Sequence, residues 1–99
     1  MDKVTEKYED GLKASLMDPD EAVSYLDAAL EENDQAVFLL ALRDIAEARG
    51  FSRVAQEALL NRENLYRMLS SRGNPQLSSL ITLLRSLGLR LAVEVRQTT

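Results

Sequence analysis

Residues 51–70, FSRVAQEALLNRENLYRMLS, leave a chain of this kind few ways to fold, because two helix starts stand too close together for anything but a tight turn between them. The first helix is expected over residues 53–58 behind Ser52, whose hydroxyl can accept from the free backbone N–H groups that open a helix. The second starts after Asn61, a cap of the same kind. Leu60 before that cap and Leu65 at the fourth helical position are spaced as a hydrophobic staple, which sets the angle between the two helices. Val54, Ala55, Ala58, Leu60, Leu65 and Met68 fall where two steeply crossed helices touch, and Ala55 is small enough to let the backbones approach. Arg62, Glu63, Asn64, Tyr66 and Arg67 are left outside. Long, forked donors and acceptors of this kind read base edges in a major groove, but they also make the wet face of an ordinary surface helix, so this stretch alone leaves both readings open.

Charge adds a second constraint. The net charge of −4 hides a division: residues 1–48 hold 13 acidic and 4 basic side chains, a net of −9, whereas residues 49–99 hold 3 and 8, a net of +5. Every base of the second half is arginine. Such asymmetry suggests one face for phosphates and another for a basic partner or for solvent, although chance clustering produces the same counts. With Cys 0 and His 0, disulfides, thiolate or imidazole metal sites and catalysis by Cys/His or Ser/His pairs are excluded. No paired carboxylates, nucleophile elbow or phosphate-cradling glycine loop is present, so neither an enzyme nor a cofactor is expected. A chain of 99 residues with 45% hydrophobic side chains suits one compact domain with a single core. The apolar run 36–42 is far short of a membrane span and Met1 is followed by charged sequence, so the expected setting is soluble and cytoplasmic.

In chain order, residues 2–16 are charged and weakly periodic, with Tyr8, Leu12 and Leu16 at i, i+4, i+8 and Gly11 between them, which predicts a short or frayed helix. Asp18-Pro19-Asp20-Glu21 is a helix start, and the helix should run to about residue 32 with Ala22, Val23, Leu26, Ala29 and Leu30 facing a core. A second helix over residues 35–49 contains the apolar run and must be covered on several sides, making it the central packing helix, with Gly50 ending it. After the turn-rich residues 71–75, residues 77–87 should form a last helix with Leu77, Leu80, Ile81, Leu84 and Leu87 on one face, closed by Gly88. From Leu89 the period changes to two, the pattern of a half-buried strand: Leu89, Leu91, Val93 and Val95 alternate with Arg90, Ala92, Glu94 and Arg96. A lone strand either folds against the helices or pairs with the same strand of a second copy in a two-fold contact.

The order of these parts resembles the Cro/repressor-like helix-turn-helix domains. More narrowly, YLDAALEEND (residues 25–34), ALRDIAEARG (41–50), NRENLYRMLS (61–70) and GNPQLSSLITLLRSLGLRLAVE (73–94) are similar to the antidote proteins of addiction modules, the HigA-like antitoxins. The resemblance implies an all-α domain of five to six helices with a Cro/repressor-like helix-turn-helix and a short C-terminal β-strand. The resemblance covers about residues 25–94, and with the charge division the chain is expected to split into an acidic N-terminal helical segment, residues 1–33, and a DNA-binding region with a dimerisation strand, residues 34–99. The implied function is a type II antitoxin that represses its own operon as a homodimer on double-stranded operator DNA and neutralises a RelE/HigB-like ribonuclease toxin; a phage-type regulator or an interaction module without a toxin is the alternative. Matched position by position, Arg62, Glu63 and Arg67 fall at base-facing sites and Gln56 at a phosphate-facing one, while Asn61, Asn64 and Arg72, with Ser71 and Asn74, are better suited to backbone phosphate than to bases. Leu89, Leu91, Val93 and Val95 are the expected dimer contacts. Asp20, Asp27 and Glu31, on the acidic helix, are the expected toxin contacts, and Tyr8, Leu12 and Leu16 candidate apolar anchors. One departure stands out: the turn between the two helices usually carries Gly, and here Leu59 takes the place, where a positive φ costs of order 1 kcal/mol or more.

Overall fold

The computed structural model describes residues 3–97, with side chains from Asp10 onward, so the side chain of Tyr8 lies outside the description. Along it run α1 (Lys3–Leu16), α2 (Pro19–Glu31), α3 (Gln35–Arg49), α4 (Phe51–Glu57), α5 (Arg62–Met68) and α6 (Leu77–Ser86). The all-α expectation holds, with six helices and no sheet among the described residues. Three starts are capped by side chains: Asp18 accepts from the Asp20 N–H at 2.9 Å, Asp34 from Ala36 at 2.9 Å and Asn61 from Asn64 at 2.7 Å. Each such cap contributes about 1 kcal/mol. The Ser52 cap does not form. Helix α4 starts at Phe51 behind Gly50, whose φ of 99° ends α3 and turns the chain, and the driving force is burial of Phe51, 7% exposed, in the first turn.

Helix α3 packs against α1, α2 and α4, the central place its apolar run predicts. Leu39, Ala41, Leu42, Ile45 and Ala46 are buried, but Val37 and Leu40 stay 37% and 40% exposed, so the run is not covered all round. The same correction applies on α2 and α6. Ala22, Leu26 and Ala29 are buried whereas Val23, Leu30 and Leu77 are open at 44%, 57% and 62%. The charged helix α1 is longer than its weak periodicity suggests, because Leu12 and Leu16 seat it on the core and Gly11 lies where nothing crowds it. Leu16, Ala22, Leu26 and Ala29 share one core with Leu39, Ile45, Val54, Leu65, Leu83 and Leu87. Arg49 reinforces this by donating from Nε to the Leu16 carbonyl at 3.3 Å and from Nη1 to the Leu87 carbonyl at 3.1 Å. A cation at two helix C-termini is favourable, and it removes Arg49 from any phosphate-facing surface.

The strand expected over residues 89–95 is not formed within the chain. After the Leu89 N–H closes on Leu84 O at 2.8 Å, the tail backbone makes no further hydrogen bond among the described residues. A body built only of helices offers no strand edge to pair with. Leu89 is half-buried, but Leu91, Val93 and Val95 are 49%, 95% and 92% exposed, not half-buried as the alternation predicts.

Candidate nucleic-acid interface

Helices α4 and α5 meet through residues 58–61. Helix α4 ends with the Leu60 N–H on Ala55 O at 2.8 Å and the Leu59 N–H on Gln56 O at 3.1 Å. This double closure requires a left-handed residue between, usually glycine. Leu59 occupies it at φ 60°, so the cost anticipated for Leu at the glycine position is present, and its side chain is 89% exposed. Within the angle so fixed, Val54, Ala55, Ala58 and Leu65 are buried and Leu60 and Met68 half-buried, as their spacing predicts. Phe51 and Leu69 complete that inner face, which the spacing argument missed.

The outer face is polar. Gln56, Asn61, Arg62, Glu63, Asn64 and Arg67 are all exposed, and Arg72 is exposed on the following loop. That loop is fastened, since Gln35 Nε2 donates to the Gly73 carbonyl at 3.0 Å and the Gly73 N–H donates to Ser70 O at 2.9 Å. Gly73 is there for space: a Cβ would lie 2.1 Å from the Met68 carbonyl oxygen. The Asn61 oxygen is committed to its cap, leaving the amide as the group free to contact a ligand. Tyr66 does not point outward as its position on α5 suggests. It is half-buried and stacks on Phe51, with ring centroids 4.0 Å apart.

Among the described residues the ion pairs are Arg43–Glu47 at 3.3 Å and Arg53–Glu57 at 3.0 Å, both between helical neighbours. Exposed pairs of this kind contribute a few tenths of a kcal/mol. Arg62, Arg67 and Arg72 take no part in them. The surface therefore presents guanidinium groups outside any ion pair beside carboxamides and one carboxylate, donors and acceptors at fixed helical spacing. Among the described residues no group of three or more carboxylates is placed to hold a metal ion, and no helix is long and apolar enough to cross a membrane.

The other expected sites lie elsewhere. Asp20, Asp27 and Glu31 are exposed on α2. Asp27 meets Leu89 and Leu91 in one open groove of about 380 Å³ between α2, Phe38 and the tail, which Asp20 and Glu31 do not line. One expected toxin contact and two expected dimer contacts thus share a surface, a meeting that no local spacing could reveal.

Comparison with known proteins bears on this arrangement. The family described as probable addiction module antidote protein matches residues 8–95. The chain belongs to that family. An uncharacterized protein of Haemophilus influenzae (strain ATCC 51907 / DSM 11121 / KW20 / Rd) is 35% identical over 92 residues, 92% of this chain and 95% of its own length. No solved structure matches the chain. An antidote implies in general a toxin that it counters, and the matched span takes in the α4–α5 pair, all of α2 and most of the tail.

Proposed function

We propose that this antidote is a DNA-binding antitoxin that represses its own operon, with α4, the turn and α5 as a helix-turn-helix of the Cro/repressor type. The observation that carries the reading is the division of that pair into a buried apolar inner face and an outer face where Arg62, Arg67 and Arg72 stand exposed and free of ion pairs. Arg62 and Arg67 grip guanine O6 and N7, Glu63 accepts from cytosine N4, and Gln56, Asn61, Asn64 and Arg72 fix the register on the backbone. The arginines supply the electrostatic term locally, where the net charge of −4 would not. Fluorescence anisotropy of the full chain on the duplex upstream of its own gene tests this. Saturable binding that outlasts excess unrelated duplex supports it; equal affinity for both duplexes, or none, overturns it.

The tail and α2 carry the remaining parts of the proposal. Leu89, Leu91, Val93 and Val95 join two copies into a dimer, supported by valines that find no cover among the described residues of their own chain. Asp20, Asp27 and Glu31 meet a RelE/HigB-like ribonuclease toxin, whose RNA-binding face has to be basic. Reversing all three to Lys should slow association with the protein encoded beside this gene at least about tenfold and weaken its salt dependence, because steering between opposite charges is screened over about 8–10 Å. Unchanged association kinetics in stopped flow would place the toxin contact elsewhere.

A further inference from the structure

Tyr66 has no task in the function proposed above, yet its surroundings are specific. Phe51, 7% exposed, is fixed in the first turn of α4, and its ring lies 4.0 Å from that of Tyr66 with 24° between the planes. The guanidinium carbon of Arg62 lies 5.6 Å from the Tyr66 centroid, and that of Arg43, from α3, 4.9 Å. Arg43 is itself held by Glu47. One aromatic ring, backed by a buried one, therefore gathers guanidinium groups from two helices. Arg62 and Tyr66 stand four residues apart on α5, on one helical face, so the contact needs no distortion.

We propose that Tyr66 is a positioning residue for Arg62, its ring holding that guanidinium in a fixed place at the start of α5 before DNA arrives. The attraction is between the cation and the negative face of the ring. Phe51 supplies the rigidity, since a ring stacked on a buried partner cannot follow the arginine as it moves. A free arginine loses rotamer freedom when a base captures it, whereas a stacked one has already given much of it up and keeps its planar fork presented. Arg43, anchored to Glu47, packs a second guanidinium on the same ring and so helps to hold it in place. The inference rests on the DNA-binding reading, and it adds Tyr66, backed by the buried Phe51 and flanked by Arg43, to a surface otherwise assigned to α5 and its flanks.

The test is a double-mutant cycle on the upstream duplex with the full chain. Tyr66→Phe keeps the ring and should bind as wild type. Tyr66→Leu should weaken binding about two- to fivefold, and Arg62→Ala about tenfold or more. The double variant should be no weaker than Arg62→Ala alone, because Tyr66 acts through that arginine. Proton NMR of the free protein supplies a readout that packing alone does not move: the Arg62 δ-methylene shifts upfield under the ring current in wild type and Tyr66→Phe, and returns to its ordinary place in Tyr66→Leu. The wild-type shift needs no variant and decides the matter if Tyr66→Leu loses helicity. Binding by wild type with additive losses or with no ring-current shift overturns the positioning role alone. An intact shift in a protein that binds no DNA overturns the DNA reading, and with it the role of Tyr66 in readout.

Discussion

The α4–α5 pair and the α2–tail surface are both amphipathic, and they end in opposite states. In the pair, Val54, Ala55, Ala58, Leu65 and Leu69 are all 5% exposed or less, and what remains outside is polar apart from Leu59. Along α2 and the tail, Val23, Leu30, Leu91, Val93 and Val95 are all open. The difference is one of available cover. Helices α3 and α6 lie against α4 and close its apolar side, whereas the tail runs past α2 with, among the described residues, no strand edge to pair with and no element above it. A surface finished within one chain needs no further cover for its apolar side. One left apolar gains most from a partner that removes it from water.

The contrast breaks most visibly if the inner face is emptied. Leu65→Ala or Leu69→Ala, each at a site 0% exposed, should cost about 2–5 kcal/mol in urea unfolding. Leu30→Ala on the other surface, 57% exposed, should stay within about 0.5 kcal/mol at low protein concentration. Equal losses at the two sites would mean that the α2 surface is already covered in solution.

On the polar face, Arg62→Ala and Arg67→Ala should each cost about 1–3 kcal/mol of specific DNA binding with helicity unchanged. Operator titrations at wild-type affinity would remove base readout from α5. The paired change Val93→Asp with Val95→Asp addresses the apolar surface: it should leave thermal unfolding of the monomer within about 0.5 kcal/mol, yet shift sedimentation from dimer to monomer. If the wild type occupies a palindromic operator as a two-fold dimer, footprints of its half-sites should repeat about 10 bp apart, and the double variant should protect only one. A dimer that survives both aspartates puts the contact on other residues.

Much of the pair was legible in the sequence because the signals there are local. Asn61 caps, Leu60 and Leu65 flank the cap, and the apolar spacing names most of the inner face. Periodicity identifies a face without saying what covers it, which is why Val23, Leu30 and Leu77 read as core and are exposed. The same limit applies to residues 89–95, whose alternation states a preference that a helical body cannot satisfy. Ser52 failed as a cap because burying Phe51 outweighs a hydroxyl bond of about 1 kcal/mol. The stack of Phe51, Tyr66, Arg62 and Arg43 joins three helices, and spacing within one helix could announce only its Arg62–Tyr66 step, four residues apart on α5. The antidote family was legible from the ordered set of motifs, none of which is diagnostic singly.

The smallest effect expected concerns the one large side chain that mars the polar surface of the pair. Leu59 and Gly88 perform the same act at two helix ends. Leu60 N–H to Ala55 O and Leu59 N–H to Gln56 O close α4, and Leu89 N–H to Leu84 O with Gly88 N–H to Arg85 O close α6, at 2.8, 3.1, 2.8 and 3.0 Å in turn. The residue between is left-handed in both, φ 60° for Leu59 and 77° for Gly88. At Gly88 an added Cβ meets nothing within 4 Å, so Gly88→Ala isolates the backbone cost and should lose about 1–2 kcal/mol. Leu59→Gly is the reverse experiment. It sheds the same strain and gives up a side chain already 89% exposed, while the extra freedom of glycine in the unfolded chain offsets part of the gain. The net should be a stabilisation of about 0.5–1 kcal/mol, seen as a higher urea midpoint at unchanged m. If the midpoint does not rise, the turn between α4 and α5 is held by something beyond the backbone bonds it shares with the end of α6. If it rises and operator affinity falls, the strain at Leu59 sets the angle of α5 for DNA.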